Sequence, residues 1–534
     1  MDKIRFWAIL MAGSLLGAAC SSGQNTSSQT NKPTTVTIAT VSTPATLDAE
    51  FSGGNPQSWE VATNCYDSLL GFPVSKDSAG NTIHDFTKVV GRLAERADVS
   101  ADGMVWTLHI RHGVKDSAGN ELTADDVKWS YDRSYALNGN AKYLGSLSNM
   151  PSGNDDGITV IDKYTVQFRL VAPSPTFEKQ LTYWVGPIYN STIVKAHATA
   201  SDPWAKDWLK TNCAGYGPYT TLSFDPGNQV VLKSNPNFWE RRPQVDTIIY
   251  KAIPEAANRV ATLERGDVDI AMLLTSEQST ALKSQTGITV HQYPGNVVVP
   301  LYMNEKIKPF DDVRVRQALS YAIDYNTIIT DIYHGFAHRI QSAIPSTIPG
   351  YDNSYWPYDF NLSKAKQLLT EAGFPNGFSF TVTLALLSAE MQNVAVFVQS
   401  SLEKINVHMT LDIESPAAFQ TVFRAHTKPA YMFTIGSHLI DPAFAMYISF
   451  ATGLPLNAAS YSNPSVDALL KDAATQQDAQ KRLQDIKDLQ KTIVGDAPWL
   501  FLATEDLVIS ARSNISGIGW YPDSAIRWQY LQKS

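Results

Sequence analysis

Residues 378–413 read FSFTVTLALLSAEMQNVAVFVQSSLEKINVHMTLDI, and this stretch decides the fold class. Large apolar side chains occupy every second position at both of its ends, as in half-buried strands: Phe378, Phe380, Val382 and Leu384, then Val407, Met409, Leu411 and Ile413. Residues from about Ala389 to Ile405 have helical spacing. A strand, a helix and a strand at this spacing predict a right-handed βαβ crossover with parallel strands, and therefore an α/β protein.

The chain on either side of this unit continues the α/β pattern. Alternating apolar residues predict strands over 105–111 and 166–170. Thr123, followed three residues later by Asp126, predicts a helix that begins with a capping box. Two amphipathic helices are predicted from apolar faces at Ala365, Leu368, Leu369 and Ala372, and at Leu483, Ile486, Leu489 and Ile493.

The hexapeptide Lys-Asp-Ser-Ala-Gly-Asn occurs twice, at residues 76–81 and 115–120. Its Asp, Ser, Gly and Asn residues favour turns, because they bond to nearby backbone or adopt left-handed conformations. Two hairpin-type turns are therefore predicted, rather than a repeat fold.

Length and charge limit the functional class. At 534 residues the chain exceeds what one hydrophobic core accommodates, so two or three domains are expected. The formal net charge is −8 and no basic run occurs, so the electrostatic footprint of a nucleic-acid-binding protein is missing.

The N-terminus has the features of a lipoprotein leader. Lys3 and Arg5 precede an apolar run, residues 6–16, which is shorter than the roughly 20 residues needed to span a bilayer. The sequence Leu-Gly-Ala-Ala-Cys at 16–20 resembles a lipobox, so residues 1–19 are predicted as a signal peptide and Cys20 as the lipidated residue. Residues 20–33 then form a polar tether, and the body lies outside the cytoplasm at a membrane. The alternative is an ordinary secreted protein in which Cys20 is incidental.

Two further cysteines, Cys65 and Cys213, form an even pair in an oxidising compartment. A disulfide between them would close a long loop and stabilise the protein by on the order of 4 kcal/mol. Two buried free thiols are the alternative, and the sequence does not decide between them.

No motif predicts an enzyme, a metal site or a cofactor. His-Glu-x-x-His, Gly-x-Ser-x-Gly and phosphate-cradling glycine motifs are all missing from the sequence. Residues 401–404 have Ser-x-x-Lys spacing, but they lie in a predicted helix and lack a companion Lys-Thr-Gly. The histidine pairs at 109/112 and 334/338 have no evident third ligand. No catalytic residue, metal ligand or cofactor is therefore predicted.

Several blocks in order resemble the extracellular solute-binding proteins of the peptide/nickel (dipeptide- and oligopeptide-binding) family of ABC importers. They are Leu93–Tyr131, with its Arg-His-Gly-Val-Lys and Leu-Thr-Ala-Asp-Asp-Val segments, Gly215–Tyr219, Asn235–Trp239, Leu263–Asp269, Pro309–Asp324, Ala365–Gly377 and Tyr461–Pro464. These blocks span nearly the whole chain after the tether.

The resemblance implies a two-lobed α/β clamp, like the periplasmic binding proteins, that closes on a solute and delivers it to membrane permease subunits. Lobe I would comprise residues 34–296 and 499–534, with an extra subdomain inserted at about 72–200, and lobe II residues 297–498. A monomer without a nucleic-acid partner is expected. The rival functions are a secreted lipoprotein hydrolase and a sensor that presents its ligand to a signalling partner.

The ligand-recognition loop departs from the family pattern. Peptide-binding members carry an Asp for the ligand ammonium just before an Asp-Pro pair; here Asp441-Pro442 aligns, but the amine-binding position carries His438. Residues 383–392 contain no basic residue for a ligand carboxylate. Since an unpaired buried ammonium costs several kcal/mol, a zwitterionic dipeptide in the usual pose is disfavoured. The sequence therefore favours longer, blocked or uncharged peptides, or an oligosaccharide, as the ligand. The alternative is that Asp441 or another nearby acid replaces the missing ammonium-binding Asp.

The candidate ligand-binding residues follow from the same resemblance. Thr43–Leu47 matches a first-lobe loop at the cleft edge, so Thr43 and Leu47 are candidates. The crossing segment contributes Tyr302 and Asn304, although packing at the hinge is an equal alternative for Tyr302. The recognition loop contributes Ser437, His438 and Asp441, and His438 is expected to influence ligand choice.

Overall fold

The structure is a computed structural model that describes residues 33–534 except 53, 79, 155–156, 183–185, 386–387 and 438. The predicted signal peptide, the lipidation site Cys20 and nearly all of the predicted tether lie outside the described residues, as does His438.

Strands and helices alternate along much of the chain. The strands are β1 Thr35–Thr40, β2 Leu70–Gly71, β3 Val74–Lys76, β4 Thr82–His84, β5 Val90–Gly91, β6 Ala94–Val99, β7 Val105–Ile110, β8 Ile158–Asp162, β9 Thr165–Arg169, β10 Tyr219–Asp225, β11 Gln229–Ser234, β12 Thr247–Ala252, β13 Ile270–Met272, β14 Ile288–Met303, β15 Ala337–His338, β16 Phe378–Ala385, β17 Val407–Glu414, β18 Ala430–Met432, β19 Ile435–Gly436, β20 Trp499–Arg512, β21 Ile515–Ser516 and β22 Gln532–Lys533.

The α-helices are α1 Pro56–Cys65, α2 Ala124–Leu137, α3 Asn140–Ser146, α4 Phe177–Gln180, α5 Ser191–Ala196, α6 Lys206–Leu209, α7 Ala256–Arg265, α8 Ser276–Leu282, α9 Val313–Tyr321, α10 Tyr325–Thr327, α11 Leu362–Glu371, α12 Ala389–Glu403, α13 Pro416–Ala425, α14 Pro442–Phe450, α15 Pro464–Thr475 and α16 Ala479–Asp496. Short 3₁₀ turns span Ala49–Phe51 and Trp528–Tyr530, and a π turn spans Ile328–Ile332.

The predicted βαβ unit is confirmed. β16 and β17 pair in parallel from Phe378 opposite Val407 to Ala385 opposite Glu414. The helix between them, α12, begins after Ser388, whose hydroxyl accepts a hydrogen bond from the Met391 N–H. Its buried side chains pack on the same core as the two strands, which accounts for the helical spacing of the apolar residues.

One large mixed sheet runs through both lobes of the fold. Its order is β10-β11-β12-β1-β13-β20-β14-β18-β16-β17, so β14 and β20 lie between the first-lobe strands and the second-lobe strands. We call β14 and β20 the crossing strands. They pair antiparallel from Ile288 opposite Arg512 to Tyr302 opposite Trp499, with a break in register between Tyr293 and Val297.

Gly295 lies in this break, and its backbone approaches the partner strand closely. A Cβ atom at this position would lie 2.1 Å from the carbonyl oxygen of Glu505. Any other residue would therefore force the crossing strands apart at the point where the sheet passes from one lobe to the other.

Separate hydrophobic cores lie on either side of the crossing strands. The first-lobe core contains Val36, Ile38, Ile248, Ile270 and Ile509, together with Trp528 near the C-terminus. The second-lobe cores are built from residues between Val298 and Ala503, on both faces of the sheet. The lobes therefore have cores of their own and share the two crossing strands.

A subdomain inserted between β1 and β10 has its own four-stranded antiparallel sheet in the order β6-β7-β9-β8. The strands predicted over 105–111 and 166–170 correspond to β7 and β9. Helix α2 packs on this sheet, and the predicted capping box of Thr123 and Asp126 is present at its start.

The two copies of the hexapeptide form the same turn. In the first copy the Asp77 carboxylate accepts the Asn81 N–H at 2.8 Å, and the Asp77 carbonyl accepts the Gly80 N–H. In the second copy Asp116 accepts the same bonds from Asn120 and Gly119. The prediction of two hairpin-type turns is confirmed, because the aspartate in each copy organises its own turn.

The two later amphipathic helices are also present, as α11 and α16. Ile486, Leu489 and Ile493 are buried as predicted, but Leu483 keeps 43% of its surface exposed. Leu483 instead lines a groove between the inserted subdomain and the second lobe, which accounts for its exposure.

The C-terminal segment returns to the first lobe and docks on α1. The Trp528 N–H donates to the Asn64 side chain at 2.7 Å, and Asn64 donates to the Ile526 carbonyl at 2.8 Å. Trp528 also donates through its indole to Glu60, whose pKa burial raises to about 8.

The structure decides between the two alternatives for the cysteines in favour of a disulfide. Cys65 ends α1, Cys213 precedes β10, and their sulfur atoms are bonded with Cα atoms 5.9 Å apart. The bridge closes a loop over a sequence separation of 148 residues and ties the end of α1 to the chain that leaves the inserted subdomain.

Because closing a loop of that length removes much entropy from the unfolded chain, the disulfide is expected to contribute about 5 kcal/mol of stability. Adding reductant to residues 34–534 should lower the melting temperature by several degrees, whereas the double variant Cys65→Ser/Cys213→Ser should melt at the lower temperature with or without reductant. Calorimetry measures both. Two titratable thiols in the denatured, unreduced protein would contradict the assignment.

Candidate functional site

The candidate site lies where strand ends of the two lobes face each other. In the first lobe, the parallel neighbours β1 and β13 end at Thr40 and Met272. In the second lobe, the parallel neighbours β16 and β18 end at Ala385 and Met432. The loops beyond the carboxyl ends of parallel strands are where α/β proteins commonly bind ligands.

Hydrogen bonds beside these strand ends join the lobes. Glu390, in the first turn of α12, accepts from the Ser276 N–H at the start of α8, with an N···O distance of 2.6 Å. Lys179, in α4 of the inserted subdomain, donates from Nζ to the Ile440 carbonyl of the second lobe at 2.8 Å. The structure is therefore a clamp whose lobes are in contact.

The first-lobe loop at the cleft edge is held mainly by α1. The Ser58 hydroxyl accepts hydrogen bonds from the N–H groups of Ala45 and Thr46. Thr43 is partly exposed, and its hydroxyl accepts from the Gly227 N–H at 3.0 Å. The Leu47 side chain is fully buried in the first-lobe core, so it supports the loop from behind rather than facing the cleft.

A buried ion pair that sequence reasoning missed anchors the end of this loop. Arg133 of α2 donates two hydrogen bonds to the Asp48 carboxylate, at 3.0 and 2.6 Å, and the Tyr189 hydroxyl donates a third at 2.8 Å. Removing either charge would leave the other buried and unpaired, which costs about 3–5 kcal/mol. The partners are 85 residues apart, and neither lies in a motif that could have identified the pair.

The recognition loop of the second lobe is tied to both lobes. Ser437 is buried and donates from its hydroxyl to the Leu439 carbonyl. The Asn296 side-chain amide, at the start of the second-lobe part of β14, donates to the carbonyls of Ser437 and Pro522. This one side chain therefore connects the recognition loop to the C-terminal segment.

Asp441 is buried, and only one oxygen of its carboxylate, Oδ1, accepts hydrogen bonds, whereas Oδ2 accepts none from the residues that the structure describes. It caps α14 by accepting the Phe444 N–H, and it accepts a 2.7 Å hydrogen bond from Arg482, while Lys179 Nζ lies 3.6 Å away. Burial by itself would raise the pKa of Asp441, but Arg482, Lys179 and the Phe444 N–H together hold it below its ordinary value. The carboxylate is thus ionised and already neutralised within the protein.

Tyr302 and Asn304 lie on β14 and just after it, and both are buried. The Tyr302 ring packs against Trp499 and Phe423, with ring centroids 4.9 and 5.7 Å apart. Asn304 donates to the carbonyls of His426 and Lys428. These contacts are those expected of packing residues, and ligand contact by either residue stays a prediction.

A groove of about 620 Å³ separates the inserted subdomain from the second lobe next to this loop. Trp106 and Lys179 line one side, and Asp441, Arg482 and Ile486 line the other. The charges of Lys179, Asp441 and Arg482 are paired with one another, and the remaining lining combines apolar residues with Ser and Gln side chains and the carboxylate of Glu178.

Within the described ranges, no group of three His, Cys, Asp or Glu side chains is arranged to hold a metal ion. None of the helices in that part of the chain is long and apolar enough to cross a membrane.

Comparison with known proteins gives the family context of this geometry. The profile of the bacterial extracellular solute-binding proteins, family 5 (middle region), matches residues 88–454. A probable D,D-dipeptide-binding periplasmic protein of Escherichia coli strain K12 is 29% identical over 495 residues, 91% of each chain. A glutathione-binding protein of Pectobacterium atrosepticum is 28% identical over 92% of this chain and 93% of its own.

A solved structure has the same fold. An ABC transporter-associated periplasmic binding protein from Helicobacter pylori, in complex with the peptide STSA, superposes with a TM-score of 0.80 at 24% identity. The match covers 93% of this chain and 98% of that one, so the two-lobed α/β fold extends over essentially the whole described chain.

Lys179→Met is expected to release the lobes from each other, because it removes a charge-assisted hydrogen bond between them. Because the Lys179 side chain is partly exposed, this hydrogen bond is expected to contribute about 1.4 kcal/mol, near the low end for charged groups. Its loss should raise the ratio of open to closed molecules about tenfold. Small-angle X-ray scattering of ligand-free protein should show a larger radius of gyration. Lys163→Met removes an ion pair within the inserted subdomain and serves as the control; an equal change in both variants would contradict the assignment.

Proposed function

Because the chain belongs to the family 5 bacterial extracellular solute-binding proteins, we propose that it is the receptor of an ABC importer for peptides or peptide-like solutes. The support is the match over most of the chain, together with relatives of nearly equal length named for dipeptide or glutathione binding. The single observation that carries the proposal is the clamp itself: two lobes with separate cores, joined by two crossing strands and meeting at their strand ends.

Binding in such a clamp is a shift in population. A ligand that is bound to one lobe stabilises the closed state through the additional contacts that it makes with the other lobe. The crossing strands bend to permit closure. The contacts at Glu390 and Lys179 already favour closure, so the ligand needs to supply only the remaining free energy. The permease then receives the loaded, closed form.

The charges near the recognition loop support a ligand held by its backbone rather than by its ends. Asp441 is neutralised by Arg482 and Lys179, so it is a poor replacement for the ammonium-binding Asp of peptide-binding relatives. Residues 383–392 offer no basic side chain for a terminal carboxylate. We therefore favour peptides that are longer than two residues or blocked at their ends; a neutral solute such as an oligosaccharide is the second candidate, on the same observation.

The remaining parts of the proposal concern the ends and the division of the chain. Residues 1–19 act as a signal peptide, Cys20 carries the lipid and residues 20–33 form the tether that keeps the receptor near the permease. The lobes comprise 34–296 with 499–534, and 297–498, with residues 499–503 of the crossing strand β20 reaching into the second-lobe cores. The receptor acts as a monomer and catalyses no reaction.

Mass spectrometry of the molecules released when purified residues 34–534 are denatured tests the ligand class. Released peptides of three or more residues, or end-blocked peptides, are expected, and isothermal titration with a recovered peptide should show saturable binding without product formation. Released sugars would replace the peptide proposal by the neutral-solute one. Turnover of the peptide, lost on changing one carboxylate, would contradict a receptor and support the rival hydrolase.

Cys20→Ala should move the full-length protein from the membrane fraction to the soluble fraction while leaving ligand affinity unchanged, because the lipid and the binding site are separate. Ser21→Ala, at the next position, is the control and should stay in the membrane fraction. A Cys20→Ala protein that remains in the membrane fraction would exclude the lipid anchor.

A further inference from the structure

Leu273 has an unusual combination of backbone and side-chain properties. It follows the last residue of β13 with φ of +55°, a left-handed conformation that disfavours side chains other than Gly, Asn and Asp. Its own side chain is 53% exposed, so burial of that side chain compensates the strained backbone only in part. Strained residues of this kind cluster at ligand-binding positions.

The surrounding backbone is built to hold Leu273 in this conformation. Arg259 of α7, only 3% exposed, donates from its guanidinium to the Leu273 carbonyl at 2.7 Å and to the Met272 carbonyl at 3.0 Å. The same guanidinium donates to the carbonyls of Ile253 and Pro254. The hydrogen bonds from this one buried arginine to four carbonyls fix the turn. The Leu273 side chain is not part of the first-lobe core.

Leu273 and a second exposed apolar residue, Val41, follow the carboxyl ends of neighbouring strands. β1 and β13 pair in parallel as far as Ala39 opposite Ala271, and Val41 and Leu273 come directly after the last residues of these strands, Thr40 and Met272. Val41 is 38% exposed. Three residues beyond Leu273, the Ser276 N–H donates to Glu390 of the second lobe, which places this pair of apolar side chains beside the contact between the lobes.

We propose that Leu273 and Val41 form an apolar subsite for one side chain of the bound peptide. The proposal rests on the proposed function and adds a preference: the ligand carries an aliphatic or aromatic side chain at the position that lies against the carboxyl ends of β1 and β13. The strain at Leu273 keeps its side chain out of the core and in the cleft, where the ligand covers it.

The test compares Leu273→Asn with Leu273→Met and Leu222→Asn. Asparagine tolerates a left-handed backbone better than leucine, so Leu273→Asn should melt at the same or a higher temperature than the unmodified protein. Methionine keeps an apolar side chain at the subsite. Leu222 is 64% exposed on β10, away from the strand ends, and provides the matched control for loss of an exposed leucine.

Each protein, as residues 34–534, is incubated with an enzymatic digest of casein, and the retained peptides are identified by mass spectrometry. The unmodified protein, Leu273→Met and Leu222→Asn should retain peptides with an apolar residue at one fixed position. Leu273→Asn should bind the best of these peptides at least tenfold more weakly and lose the preference at that position.

Three results would overturn the inference, and they are distinguishable. If Leu273→Asn retains the same peptides with the same affinity as the unmodified protein, the subsite is wrong while the proposed function stands. If the unmodified protein retains no peptide from the digest, the proposed peptide ligand is wrong and the subsite falls with it. A Leu273→Asn protein with lower affinity and a markedly lower melting temperature would indicate a structural role for Leu273 and would also contradict the inference.

Discussion

The pairing of β14 with β20 is the constraint on which the rest of the structure depends. These strands are hydrogen-bonded to each other through both lobes, so they join two separate cores in one sheet. The register breaks between Tyr293 and Val297, and the missing side chain of Gly295 lets the strands stay in contact there. A paired ribbon resists sliding of one lobe past the other, while a break in its ladder is where bending costs least.

The two sides of the cleft are held by different means. The first-lobe loop is held at several points: Ser58 accepts hydrogen bonds from its backbone, the buried Asp48–Arg133 pair anchors its end and the disulfide ties the end of α1. The recognition loop of the second lobe depends on single side chains from elsewhere, among them Asn296 and Lys179. The first-lobe loop is therefore held by contacts within its own lobe, whereas the second-lobe loop depends in part on contacts between the lobes.

Local signals account for the parts of the fold that were predicted correctly. The βαβ unit, the capping box at Thr123 and the two Asp-centred turns each depend on residues within a few positions of one another or on one periodic pattern. The candidate site was less predictable from sequence. Thr43 is partly exposed, but the Leu47 side chain faces the core, and the carboxylate of Asp441 is flanked by Arg482 and Lys179 from distant parts of the chain.

By itself the sequence determined the α/β class, the positions of some of the strands and helices and the resemblance to a solute-binding family, since apolar spacing, caps and turns act over short stretches. Only the tertiary structure decided which charges are already neutralised, that Cys65 and Cys213 are bridged, and that a strained Leu273 stands exposed at the strand ends. The physical reason is that pairing of charges and exposure of side chains depend on which distant segments the fold brings within a few ångströms of each other.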